Sequence, residues 1–276
     1  MKDIIVYSES FNAWQPHVAY AAHLAAALDA SLTGACICLS PMMSAPIYEA
    51  PNLATQFIDE ACELLEAAQA AESSFLAFAC AHDVRDAAWQ VADGYIPDSL
   101  ALIANWHDLL VLGRNDSSPW GSASSIGEIM LSCGLPAVIV PETWDRPFSL
   151  DRIAIAWNGS AEAIRAIHAA LPLLARASHV IVLGHAEDRT PQMNRWIPGF
   201  DLQGYLHRHG IQARSVPLPM PEDQDIGAAL LQVAMQEQAD LLVMGGYGHT
   251  RLREWVLGGA TREVLQRGMM PVWMRH

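Results

Sequence analysis

Short apolar runs recur along the chain, and between them lie longer stretches in which apolar positions return every three or four residues. The short runs have the length and continuity of strands buried on both faces, and the longer stretches have helical periodicity. The pattern predicts strands near 3–8, 32–39, 84–91, 108–113 and 137–141, and helices near 15–30, 55–81, 96–106 and 123–133. The same rhythm then begins again. It predicts strands near 152–157, 179–185, 211–217, 241–245 and 271–275, and helices near 160–177, 190–209, 225–238 and 258–267. Strands that alternate with helices pair in parallel through right-handed crossovers.

The repetition extends to the letters. "HDLLVLGR" (107–114) returns as "ADLLVMGG" (239–246), "CGLPAVIVP" (133–141) is echoed by "GMMPVWMR" (268–275), and "DIIVYSES" pairs with "RIAIAWNG". This predicts two tandem doubly wound α/β domains, 1–145 and 150–276, each a five-stranded parallel sheet flanked by helices. The polar stretch "ETWDRPFSLD" between them is too short to let the copies wander. The fifth strands, "PAVIVP" and "MPVWMRH", are apolar edges that need covering. They are expected to meet about a pseudo-two-fold axis, with Val272 and Trp273 near Val138 and Ile139. That intrachain pseudo-dimer would need no homodimer for stability, and higher assembly stays open.

Composition narrows the function. A net charge of −14 opposes a nucleic-acid role, which needs clustered Lys and Arg. No apolar run reaches the roughly 18 residues that span a bilayer, so no membrane contact is expected. "MKDIIVYSES" has no signal-peptide pattern, which makes the cytoplasm the expected compartment. The cysteines, Cys36, Cys38, Cys62, Cys80 and Cys133, are odd in number and contain no Cys-x-x-Cys pair. They read as reduced core thiols. The tryptophans, Trp106 among them, read as core and domain-contact residues, and Trp157 is the one placed to touch a base.

One stretch stands apart, "MGGYGHTRLREWVLGGATREVL" at 244–265. It leaves the carboxyl end of the fourth strand of the second copy, where open parallel sheets hold ligands. Glycines there uncover backbone N–H groups, and the following helix adds unpaired donors and a positive dipole end, so the loop is built like an anion cradle. It is not a P-loop, because no Gly-Lys-Ser/Thr follows.

The spacing Gly-x2-Gly-x9-Gly, on Gly245, Gly248 and Gly258, resembles the nucleotide-binding loop of the universal stress protein family in a tandem form. The resemblance implies a Rossmann-like fold of the adenine-nucleotide α-hydrolase type. It also implies a stress-response or regulatory protein that binds ATP or a related adenine nucleotide, with or without Mg2+. Gly245, Gly246, Gly248, His249, Arg251, Gly258, Gly259 and Ala260 would line the phosphates. Asn158 and Trp157 would meet the nucleoside, and the backbone of His185 the adenine edge. Two positions depart from the family pattern. Gly259 replaces a Ser or Thr hydroxyl, and Asn158 replaces an Asp.

The first copy differs. Its loop, "LGRNDSSPWGSASSIGEIM", has Asp116 where the second glycine belongs, and Glu9 takes the first-strand place. That copy is expected to be a nucleotide-free structural partner. Ser122, Ser124 and Ser125 read either as a residual polar pocket or as N-capping of the next helix. His207 and His209 are spaced to splay apart, and no metal site is expected. No Ser-His-Asp, Cys-His or paired-carboxylate constellation stands out, so at most slow ATP hydrolysis is expected. A ligand-free tandem interaction protein and a weak ATP-cleaving or adenylating enzyme remain the alternatives.

Overall fold

The alternation of strand and helix is borne out in a computed structural model of the chain. It describes residues 1–39, 51–184, 202–219, 225–246 and 259–276, with the backbone alone described at 51–56. The strands are β1 (Asp3–Tyr7), β2 (Ser31–Cys38), β3 (Ala87–Asp93), β4 (Leu109–Arg114), β5 (Ala137–Pro141), β6 (Arg152–Ala156), β7 (His179–Leu183), β8 (Ala213–Val216), β9 (Leu241–Gly245) and β10 (Val272–Arg275). The helices are α1 (Pro16–Leu28), α2 (Pro51–Ala70), α3 (Glu72–Ala81), α4 (Ile96–Ala104), α5 (Ala123–Cys133), α6 (Ala161–Leu174), α7 (Leu202–Arg208), α8 (Ile226–Gln236) and α9 (Gly259–Arg267).

Two expectations are corrected by local chemistry. The single helix expected at 55–81 is broken at Ala71, where the indole N–H of Trp89 donates to the Ala68 carbonyl at 2.8 Å. A side chain inserted into the carbonyl ladder bends or ends a helix. The strand expected at 84–91 starts later, because Asp83 turns through φ 63 and the Val84 amide returns to the Ala79 carbonyl at 3.1 Å. Of the helix expected at 190–209, Leu202–Arg208 is described and the rest lies outside the described residues.

The chain divides into two compact units, 1–121 with 125–135, and 122–124 with 136–276. In the first, β1 is flanked in parallel by β2 and β4, and β3 pairs beyond β2. In the second, β6 is flanked in parallel by β7 and β9, with β8 beyond β7 and β10 beyond β9. The central strands are buried on both faces. Ile4, Ile5, Val6, Leu109, Leu110 and Val111 form that layer in the first unit, and Ile153, Ala154, Ile155, Leu241, Leu242 and Val243 in the second. Such continuous apolar strands are the mark of a parallel sheet covered by helices.

Each sequence copy supplies five strands, β1–β5 and β6–β10, and β5 is grouped with the second compact unit. There it pairs antiparallel with β10, with Val272 opposite Ile139 and Trp273 opposite Val138. The expected meeting of Val272 and Trp273 with Val138 and Ile139 is therefore present, in a defined register.

The repeated Asp of "DLLV" has one structural task in both copies. Asp108 accepts the backbone N–H of Lys2 at 2.5 Å and of Asp3 at 3.3 Å. Asp240 accepts the N–H of Arg152 at 2.9 Å and the hydroxyl of Ser149 at 2.7 Å. Each carboxylate thus pins the start of its unit's central strand beside the fourth. That alignment sets where both strands end.

Candidate functional site

In the second unit β6 and β9 run side by side, with Ile155 opposite Val243, so their carboxyl ends open at one place. The crossovers diverge there, since β7 lies on one side of β6 and β9 on the other. Beyond β6 the Trp157 amide donates to the Leu183 carbonyl at 2.8 Å, which holds its backbone to β7. Asn158 is exposed, and its side-chain oxygen accepts the Ser160 amide at 3.1 Å. Ser160 then starts α6 by accepting the Ala163 amide at 3.2 Å, an ordinary N-cap. The turn engages the Asn158 oxygen, so its NH2 is the group able to donate to a ligand.

Gly245 closes β9 against the first turn of α6. A Cβ there would stand 2.5 Å from the Ala163 nitrogen and 2.8 Å from the Glu162 Cβ, so only glycine fits. Gly246 is buried, and its amide donates to the Arg275 carbonyl at 2.9 Å. That N–H, expected to be uncovered, is engaged in extending the ladder to β10. The Thr261 methyl lies 3.9 Å from the Cβ position of Gly246, which brings the first turn of α9 onto the end of β9. Gly259 and Ala260 open α9, with Gly259 exposed. His185, Gly248, His249, Arg251 and Gly258 lie outside the described residues.

Sequence reasoning missed four groups here, Asp225, Glu162, Arg165 and Arg275. Asp225 caps α8 by accepting the Gly227 amide at 2.9 Å, and its second oxygen lies 3.9 Å from the Cβ position of Gly259. Glu162 is buried beside Gly245 and pairs with Arg165 at 3.0 Å. Arg165 also donates to the His276 carbonyl at 3.1 Å. Burial first, and Arg165 second, weaken the hold of Arg275 on its proton. Two guanidiniums and one carboxylate therefore gather at this end of the sheet. Ser160, three residues before the amide it caps, was the legible signal; the arginines are separated in sequence and gave none.

The first unit fills the corresponding place. Gly113 stands where Gly245 does in the repeat, and His17 where Glu162 does. A Cβ on Gly113 would run into the His17 ring. His17 is buried and its Nε2 donates to the Tyr7 carbonyl at 2.9 Å. Burial lowers its pKa to about 4, so the imidazole is neutral. The loop after β4 closes on itself. The Asn115 amide donates to the Gly121 carbonyl at 3.1 Å, and the Asn115 side-chain oxygen accepts the Ser117 amide at 2.8 Å. The Ser118 hydroxyl donates to the Glu9 carboxylate. Asp116, expected to face a phosphate site, is exposed and paired with Arg114 at 3.5 Å. Ser122 immediately precedes α5 and shares a hydrogen bond with Ser124 at 3.1 Å, while the Ser125 hydroxyl donates to the Pro119 carbonyl at 2.6 Å.

Other expectations need correction. Cys36 and Cys38 are buried, but Cys62 and Cys80 are exposed and Cys133 is half-buried, because these three lie on helices rather than central strands. Trp106 is 87% exposed, since it follows the end of α4 and points away from the core. His209 packs on Tyr205 with ring centroids 4.7 Å apart. Among the described residues no group of three or more His, Cys, Asp or Glu could hold a metal ion. No described helix is long and apolar enough to cross a membrane.

Known proteins share this arrangement. The model of the universal stress protein family matches residues 221–276, a stretch that includes α8, β9, α9 and β10. A universal stress protein of Synechocystis sp. is 24% identical over 187 residues, which cover 65% of this chain and 61% of that protein's length. The crystal structure of a universal stress protein from Archaeoglobus fulgidus matches 99% of this chain and 96% of its own, with TM-score 0.65 and 15% identity. A functionally unknown protein of Pseudomonas aeruginosa matches 100% of this chain and 92% of its own, with TM-score 0.58 and 15% identity. At such identities the two structures speak for the fold alone. The second unit thus matches the universal stress protein family model at 221–276, and the chain is similar to a universal stress protein of Synechocystis sp..

Proposed function

We propose that the protein is a stress-response regulator whose second unit binds ATP or a related adenine nucleotide at the carboxyl ends of β6 and β9. In this reading the repeats run 1–145 and 150–276, the first is a non-binding structural partner, and the setting is the cytoplasm. The carrying observation is the contrast at one repeated position. Gly245 closes the end of β9 against buried Glu162, which pairs with Arg165, whereas Gly113 closes β4 against a neutral buried histidine. Backbone donors and a helix N-terminus suit phosphate oxygens. Gly248, Gly258 and the amides of Gly259 and Ala260 would cradle the phosphates. The Asn158 NH2, the Trp157 ring and the His185 backbone would hold the nucleoside. With Asp225 near Gly259, a divalent cation such as Mg2+ would ease the approach of a polyphosphate.

The test is direct. Protein purified without added nucleotide, then denatured and resolved by ion-pair chromatography, is expected to release adenine nucleotide. Calorimetric titration of the emptied protein is expected to give one site per chain, with and without Mg2+ compared. Two equivalent sites, or no binding of any adenine nucleotide, overturns the proposal. Phosphate release proportional to protein would favour an enzyme instead.

A further inference from the structure

Cys36 and Cys38 take no part in the site above. They occupy alternate positions of β2, so their side chains leave the same face of the strand. Both are buried, at 4% and 5% exposure. The neighbouring Cys36 lowers the pKa of the Cys38 thiol, while Cys38 first and burial second raise that of Cys36, so Cys38 is the more acidic of the two. Cys38 lies opposite Asp93 in the β2–β3 register, and the Asp93 carboxylate opposes ionisation of Cys38. A bare pair of thiolates is therefore disfavoured here unless a cation accompanies it.

The backbone decides between two fates for such a pair. Alternate residues of a strand are about 6.6 Å apart at Cα, at the outer limit of the Cα spans that disulfides tolerate. A bridging ion has no such requirement, since two parallel side chains can close on it from either side. Two sulfur donors suit a soft cation. Tetrahedral zinc needs four ligands, and no group of three or more ligating side chains occurs among the described residues.

We propose that Cys36 and Cys38 form a two-coordinate thiolate site for a thiophilic monovalent cation of the Cu(I) and Ag(I) class. Loading replaces both thiol protons: two S–H groups and one cation give a bis-thiolate complex of charge −1 and two released protons. Uptake is thus proton-linked and strengthens with rising pH.

The experiment titrates reduced full-length protein with Cu(I) in competition with a chromophoric chelator, and with Ag(I) followed by native mass spectrometry. The background is a variant in which Cys62, Cys80 and Cys133 are replaced by serine, which removes the more exposed thiols. It is expected to keep one ion per chain and to release two protons per ion. In that background Cys36→Ala and Cys38→Ala are each expected to weaken binding by at least about a hundredfold, since even losses outside the ligand shell cost 10–100-fold. X-ray absorption on the copper-loaded wild-type protein covers the case in which those variants fail to fold, and is expected to show two sulfur neighbours. Binding unchanged by either alanine, binding lost from the triple serine background, or a shell lacking two sulfurs overturns the site.

Discussion

The Asp240 carboxylate accepts the backbone N–H of Arg152 at 2.9 Å, and Asp108 does the same for Lys2 at 2.5 Å. Hydrogen bonds to a charged acceptor contribute about 1.5–3 kcal/mol each, less where solvent reaches them. Asp240→Ala is expected to lower the stability of the chain by about 2 kcal/mol, and Asp108→Ala, at a half-exposed side chain, by about 1 kcal/mol. Urea unfolding followed by circular dichroism measures both. The Lys2 N–H, ahead of the lesser Asp3 N–H and N-terminal charge, holds the Asp108 carboxyl below the usual range. Its contribution is present above the ordinary carboxylate pKa and fades as pH falls through the folded value. Asp108→Ala should accordingly flatten the acid limb of the stability profile.

His17 gives a second pH dependence, in a higher window. Its pKa is about 4 in the folded state against an ordinary 6.5, because burial penalises the imidazolium. Between those values the unfolded chain binds the extra proton, so stability is complete above about 6.5 and is lost as pH falls toward 4. The full loss amounts to about 3 kcal/mol. Unfolding midpoints measured from pH 7 to 4 should show this slope in the wild type. His17→Gln, which keeps a donor for the Tyr7 carbonyl, should lose it.

The proposed phosphate cradle is probed at two glycines. Gly245→Ala places a methyl 2.5 Å from the Ala163 nitrogen and should cost about 1–3 kcal/mol of stability as the start of α6 is pushed away. Gly248→Asp copies the first-copy residue into the second loop. A like-charge pair at about 4 Å costs on the order of 4 kcal/mol at an effective dielectric near 20. Nucleotide affinity should fall about a thousandfold with the unfolding midpoint unchanged. Unaltered affinity in that variant would place the phosphates elsewhere.

Cross-linking tests the antiparallel register. Val272 lies opposite Ile139, so cysteines at these two positions should form an intrachain disulfide under mild oxidation. A pair at Ile139 and Trp273 should not, because neighbouring strand residues face opposite sides of the sheet. The sequence alone supports a meeting of these two strands but not the choice between the two pairs, since one residue of slip leaves the apolar pattern of "PAVIVP" intact.

That limit is general for this chain. Element order was legible because buried parallel strands and amphipathic helices have different periods, and the repeat doubled every signal. Gly245 was legible from its place after "DLLVM". Contacts made across the sequence were not. Trp89 reaches Ala68 and so divides a helix whose own pattern is continuous. Arg165 and Arg275 meet only because β10 lies beside β9 and α6 packs over both. Nor does the pattern announce that His17 covers Gly113, since an isolated histidine on an apolar helix reads the same with or without that contact.

The register of β5 with β10 also bears on synthesis. β5 ends at Pro141 and β10 begins at Val272, so the ribosome emits β10 about 130 residues after β5. At 5–20 residues per second the interval is on the order of ten seconds. Throughout it β5 is an apolar segment whose antiparallel partner does not yet exist, an edge open to pairing with the wrong strand.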